Sequence, residues 1–157
     1  MLGRRYDEQD CSIARALEVV GERWTLLILR ESFLGTARFD EFHHRLGIAR
    51  NVLQTRLANL VEEGVLERRP YQQRPVRYEY RLTQEGRDLL PVLVALLQWG
   101  DRHRAPDEGP LGAIAHANCG GAINAGLQCE RCGAKVEAHS IAIEQLREPL
   151  TPFAPRA

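Results

Sequence analysis

The chain has 157 residues, 44% of them hydrophobic, with 21 basic and 21 acidic side chains and no formal net charge. That length suits one globular domain plus an appendage, and no apolar run reaches the ~18 residues needed to cross a bilayer. A zero total does not exclude a polyanionic partner, because the placement of charge matters more than its sum.

The opening segment MLGRRYDEQD lacks the apolar stretch of a signal peptide, so the cytoplasm is the expected location. Ile13, Ala14, Leu17 and Val20 then form a helical stripe, and Trp24 to Leu34 reads as a strongly apolar helix belonging to the domain core. Phe39, Phe42 and Leu46 recur at helical spacing up to Gly47, which ends the helix as a C-cap glycine does. A second helix starts at Ile48 after a very short turn, with Leu53, Leu57, Leu60 and Val61 on one face and Gly64 at its end. Asn51, Thr55 and Ala58 fall opposite that stripe, with Gln54 on its flank and Arg50 in the first turn. Arg, Asn and Gln can pair with base edges, and Thr can contact a thymine methyl or a phosphate. An ordinary amphipathic helix would also show a polar face, so the neighbouring elements decide its meaning.

Those neighbours are two short strands. Val65 to Arg69 leads into a loop, Pro70 to Pro75, and Tyr78, Tyr80 and Leu82 then alternate with Arg77, Glu79 and Arg81. Arg68, Arg69, Arg74 and Arg77 surround the loop with little acid near its tip. A cationic tip neutralises phosphates without reading bases. Helix, turn, helix and hairpin in this order make a winged helix-turn-helix, which offers one helix to a DNA groove and the hairpin to the flanking backbone.

Gln84 to Gly100 is expected to be helical, with Leu89, Leu90, Val92, Leu93, Val94, Leu96, Leu97 and Trp99 pointing all around it and Pro91 kinking it. A small domain covers one side of such a helix, and a second copy of the chain is the natural cover for the other. Burial under the C-terminal appendage is the alternative.

From Asp101 the composition changes to DRHRAPDEGPLG, a linker. Beyond it stand His116 and Cys119, then Cys129 and Cys132, each pair followed by glycine. Two tight turns carrying such pairs suit a tetrahedral structural Zn²⁺, as in a small zinc ribbon, with Lys135 to Ile143 as a further strand. His139 is the substitute for His116 as fourth ligand. A Cys129–Cys132 disulfide or bare thiols are the other readings. The fold class is thus mainly α with a small β-hairpin, plus a small β appendage of zinc-ribbon type. The divisions are residues 1–100 for the winged helix, 101–112 for the linker, 113–148 for the ribbon and 149–157 for an extended tail.

The run CSIARALEVVGERWTLLILRESFLGTARFDEFHHRLGIARNVLQTRLANLVEEGVLERR, with PVRYEYRLTQEGRDLLPVL and Trp99-Gly100 after it, resembles the HxlR-type bacterial transcription regulators. The resemblance covers about two thirds of the chain and implies a dimeric winged-helix repressor or activator on a two-fold operator in double-stranded DNA. Ser12 stands where proline is usual and Ala49 where a capping serine is common. Alanine is a poor N-cap, so the recognition helix is expected to fray at its start until DNA orders it. The resemblance also carries a sensing role for oxidants or electrophiles to Cys11, at a helix start where the dipole favours an anionic sulfur. A small ligand between dimer helices is the other candidate effector. A homodimeric regulator, with repression the expected outcome, therefore leads. It is weighed against a thiol/disulfide oxidoreductase built on Cys129 and Cys132, which lacks the βαβ context of that motif, and against a protein-interaction adaptor.

Overall fold

A computed structural model describes residues 11–107, 109 and 114–136. Its elements run α1 (Ser12–Val20), α2 (Thr25–Phe33), α3 (Phe39–Leu46), α4 (Arg50–Glu62), β1 (Leu66–Gln73), β2 (Val76–Leu82), α5 (Gln84–Arg87) and α6 (Leu90–His103). Cys11 is the N-cap of α1, its backbone extended and its Sγ accepting the Ala14 N–H at 3.3 Å. Trp24 precedes α2 at φ 81°, a left-handed conformation that a bulky residue holds only where packing enforces it. Its indole is half-buried against the core.

Ile28 and Leu29 of α2, Phe42 of α3, Leu53, Leu57 and Leu60 of α4, and Ile48, Val65 and Leu66 beside them are fully buried in one cluster. Phe42, Leu53, Leu57 and Leu60 are stripe positions that the helical spacing marked, whereas Phe39, Leu46 and Val61 are only partly buried and Ile13 and Leu17 are exposed; each fully buried side chain of this kind contributes about 1.5–3 kcal/mol. Ile48 lies in this core but outside the helix it was expected to start, since α4 begins at Arg50. Gly47 takes φ 61° and its N–H returns to the His43 carbonyl, closing α3 as expected.

The strands β1 and β2 pair antiparallel, with Leu66 opposite Leu82 and Gln73 opposite Val76. Strand β1 reaches Gln73, so most of the expected Pro70–Pro75 loop is strand and only Arg74 and Pro75 make the turn. Pro70 has no N–H to donate, and the ladder is interrupted beside it: Pro70 faces Tyr78, Gln72 faces Arg77, and Tyr71 is left over as a bulge. The alternation in β2 holds for Tyr80 and Leu82, which pack on the core, while Tyr78 is exposed. A third short segment joins this edge, where the Tyr80 N–H donates to the Ala37 carbonyl at 2.7 Å and Arg38 bridges to Glu79.

The helix expected over Gln84–Gly100 is two helices. Thr83 caps α5 by accepting the Gly86 N–H at 3.1 Å, and its hydroxyl donates to the Gly64 carbonyl at 2.6 Å. Pro91 falls in the first turn of α6, where no helical N–H is needed, so it starts this helix instead of kinking it. Helix α6 packs on α2 and continues to His103.

Residues 114–136 form two small turns, each closed by a single bridge, Ala115 to Ala122 and Gln128 to Lys135. The expected Lys135–Ile143 strand beyond Val136, His139, the opening segment 1–10 and the 149–157 tail lie outside the described residues. No described helix is long and apolar enough to cross a membrane.

Candidate nucleic-acid interface

Three devices aim α4. His43 Nδ1 donates to the Ile48 carbonyl at 2.8 Å across the α3–α4 turn. Arg56 of α4 donates to Glu22 at 2.7 Å, tying the helix to the α1–α2 turn beside Trp24. Arg50 donates to Asp40 of α3 at 2.7 Å, and its guanidinium lies 5.4 Å from the Phe39 ring centre. The Ala49 N-cap offers no side-chain bond to the first-turn N–H groups of α4, and the Arg50 contacts instead tie the start of this helix to α3.

With its leucine face sunk in the core, α4 turns Arg50, Asn51, Gln54 and Thr55 to the surface, and all four are exposed. Thr55 Oγ1 donates back to the Asn51 carbonyl at 3.0 Å, which fixes its side chain on the helix. The Asn51 and Gln54 side chains make no hydrogen bond among the described residues, leaving donors and acceptors on an exposed helix face.

The four wing arginines differ in state. Arg68 lies 4.2 Å from the Tyr78 ring centre, stacked on the strand. Arg69 pairs with Glu67 at 2.5 Å. Arg74 at the turn and Arg77 on β2 are exposed and pair with no carboxylate among the described residues. Nearby, Arg81 grips Glu79 with two bonds of 2.8 and 3.2 Å. That hydrogen bonding holds the Glu79 carboxyl below the usual carboxylate range and raises Arg81. Among the described wing arginines, Arg74 and Arg77 near the tip thus have neither a carboxylate nor a ring partner, and Arg68 has a ring but no carboxylate.

Two residues outside the sequence-based candidates shape this surface. Arg38 lies 4.6 Å from the ring centre of Tyr71, the bulged residue, and so props the wing against the start of α3. Asp40 holds Arg50. The spacing Arg38-Phe-Asp-Glu41 carries a signal for the first, since Glu41 accepts the Arg38 N–H at 3.1 Å as in a capping box.

The HxlR-like helix-turn-helix family model matches residues 19–108. The chain belongs to the HxlR family. It is a transcription regulator of the winged helix-turn-helix type. An uncharacterized HTH-type transcriptional regulator of Mycobacterium tuberculosis, strain H37Rv, is 46% identical over 143 residues, 91% of this chain and 89% of that protein. Among solved structures, the transcription factor candidate PA1607 superposes with a TM-score of 0.78 at 35% identity, over 89% of this chain and 98% of its own. The redox regulator HypR in its reduced form gives a TM-score of 0.56 at 30% identity, over 60% of this chain and 94% of its own. HypR thus matches a smaller share of this HxlR protein than PA1607 does.

The remaining candidates lie elsewhere. Cys11 is half-buried at the head of α1. His116 Nδ1 and Cys119 Sγ are 3.2 Å apart. Bonds from the backbone of Cys132 and Arg131, and from the Cys132 side chain, lower the Cys129 thiol from its ordinary range. Among the described residues no group of three or more His, Cys, Asp or Glu side chains comes together to hold a metal. The expected ligands form two pairs.

Proposed function

We propose that this regulator is a homodimer that represses transcription by binding a two-fold operator in double-stranded DNA. The observation that carries the reading is the exposed, unpartnered Asn51–Gln54 face of α4 beside a wing whose tip arginines are free. In this assignment Arg50, Asn51, Gln54 and Thr55 lie near bases, and Arg68, Arg69, Arg74 and Arg77 serve phosphates. Support for the dimer comes from apolar side chains left in solvent on two helices. Val92, Leu96 and Trp99 form an outward stripe on α6, with Trp99 50% exposed, and Ile13 on α1 is 74% exposed. A second copy related by a two-fold axis would cover both stripes and place two α4 helices on successive major grooves. Such a regulator works in the bacterial cytoplasm.

The effector in this reading acts on Cys11. The support is the name of one similar structure, a redox regulator, and the position of this sulfur at the head of α1, one turn from the exposed Ile13–Leu17 stripe. An electrophile or oxidant on the sulfur would remove its bond from Ala14 and disturb the helix that lines the dimer.

Footprinting on the DNA upstream of the gene tests the proposal. A protected site with two-fold symmetry, lost steeply as salt rises, is expected. Equal protection of all sequences, or no binding at low salt, sinks it in favour of the adaptor reading. For the effector, Cys11→Ser should keep DNA binding while abolishing its response to an alkylating agent; an unchanged response removes Cys11 from that role.

A further inference from the structure

The segment 114–136 is built twice. The His116 N–H donates to the Gly121 carbonyl at 2.8 Å, and the Cys129 N–H to the Ala134 carbonyl at 2.9 Å. Gly120 N–H returns to His116 and Gly133 N–H to Cys129, both at 2.8 Å. Ile123 N–H donates to Ile114 at 3.1 Å, and Val136 N–H to Leu127 at 2.9 Å. The bridges Ala115–Ala122 and Gln128–Lys135 repeat in the same way. One constant offset carries His116 onto Cys129, Cys119 onto Cys132 and Gly120 onto Gly133. The two glycines even share a left-handed backbone, at φ 69° and 71°, which a side chain would strain. Each copy carries two side chains of metal-ligand type three positions apart, His116 with Cys119 and Cys129 with Cys132.

Burial does not explain this repeat. None of the residues 114–136 is buried, and Ile123 and Leu127 are exposed, so the segment holds no apolar core of its own. Among the described residues, α6 holds the segment by hydrogen bonds between the two turns. Gln98 of α6 donates from Nε2 to the Ile123 carbonyl at 2.8 Å and accepts the Ala125 N–H at 3.0 Å. That clamp holds the chain connecting the turns on α6, while His116, Cys119 and Cys132 are exposed and Cys129 is half-buried. Three thiols and an imidazole are a donor set suited to a tetrahedral, thiophilic divalent cation, and poorly suited to Ca²⁺ or Mg²⁺.

We infer that the duplicated turns are the two halves of one Zn²⁺ site, His116 and Cys119 supplying one half and Cys129 and Cys132 the other. The metal joins the two pairs, which are separate in this structure. Binding takes the three thiols as thiolates, releases their three protons to solvent, and leaves a closed tetrahedron with no position for substrate. Because Gln98 sits on α6, folding of the repeat around zinc would also cover part of that helix.

Metal analysis of the full-length protein, purified under reducing conditions, tests the inference, with Co²⁺ substituted for Zn²⁺ as a spectroscopic probe. One zinc per chain is expected, with thiolate-to-cobalt charge transfer and the intense bands of a tetrahedral ion. Cys119→Ser and Cys132→Ser should each weaken zinc retention by at least tenfold and alter the cobalt spectrum, while melting of the winged-helix domain stays the same. His116→Gln should change the cobalt bands without reducing the sulfur charge transfer. Four titratable thiols with no metal, an octahedral cobalt spectrum, or one zinc shared by two chains would overturn it. So would loss of metal on removing Cys132 but not Cys119, or an air-formed Cys129–Cys132 disulfide in place of metal.

Discussion

The Arg50 guanidinium of α4 donates to the Asp40 carboxylate at 2.7 Å, although both side chains are largely exposed. An exposed pair of this kind adds only ~0–1 kcal/mol to stability, so its consequence lies in binding. In the proposed assignment Arg50 has to leave Asp40 to reach DNA, and Asp40 would present a negative charge to an approaching phosphate. Asp40→Ala should therefore raise DNA affinity, roughly two- to tenfold at low salt and less at high salt, with thermal stability nearly unchanged. Arg50→Ala should lower affinity. Weaker binding by Asp40→Ala would mean that Asp40 orients Arg50 for the complex, and would defeat this account.

The pairing pattern in the wing separates arginines that look alike in sequence. Arg74→Ala and Arg77→Ala should weaken binding on every DNA sequence and each reduce the salt slope by about one ion. The double change Glu79→Ala with Arg81→Ala should alter that slope less, because the two side chains already neutralise each other. Glu79 has a depressed folded value, so its pairing is complete at neutral pH and is lost as pH falls through the carboxylate range; the comparison belongs near pH 7. Asn51→Ala should instead cost about 1–3 kcal/mol on the operator alone, relaxing preference at one base pair. Salt titrations on operator and random DNA separate these outcomes, and a sequence-selective effect of Arg74→Ala would reverse the assignment.

The apolar periodicities identified Phe42, Leu53, Leu57 and Leu60 as core because helical spacing alone determines which side a residue faces. The same logic exposed Asn51, Gln54 and Thr55. It failed where a local choice depended on distant contacts. Pro70 and Tyr71 read as loop residues, yet Arg38, some thirty positions earlier in the chain, supports the bulge that lets a strand pass through them. Pro91 read as a kink, since nothing in the pattern shows that Thr83 would start and Asp88 would end a separate turn. The engagement of Arg69 by Glu67 and of Arg50 by Asp40 depends on rotamers that no spacing rule supplies. The two metal-type pairs were visible as motifs, but their duplication is a property of backbone bonds.

Gly86 gives a stability test independent of DNA. It is buried, and a Cβ built there would lie 2.2 Å from the Val65 carbonyl oxygen. That neighbour is backbone at the junction of α4 with β1, where Thr83 also binds Gly64 and Val65. It has little room to yield. Gly86→Ala should destabilise the fold by about 1–3 kcal/mol, as overpacking does, despite the better helix propensity of alanine. A chemical denaturation midpoint equal to that of the parent protein would show that α5 shifts freely and that the contact is not tight.

The outward stripe of α6 predicts the assembly. Leu96 is 47% exposed and Trp99 50% exposed on one turn-spaced face, so a charge there meets water in a monomer and an apolar partner in a dimer. Leu96→Asp should leave the monomer fold intact, because Val94, and not Leu96, is the buried residue of α6. In the dimer it should be expelled or hydrated at a cost of several kcal/mol, shifting sedimentation to the monomer at micromolar concentration. Affinity for a two-fold operator should then fall by about 10²–10⁴, the contribution of linking two half-site contacts, while binding to an isolated half-site stays the same. Ile13→Asp on α1 should act in the same direction if both helices share the interface. Retention of the parent protein's sedimentation by Leu96→Asp would place the dimer contact elsewhere, and equal loss on half-site and full operator would mean that the substitution had damaged the reading head itself.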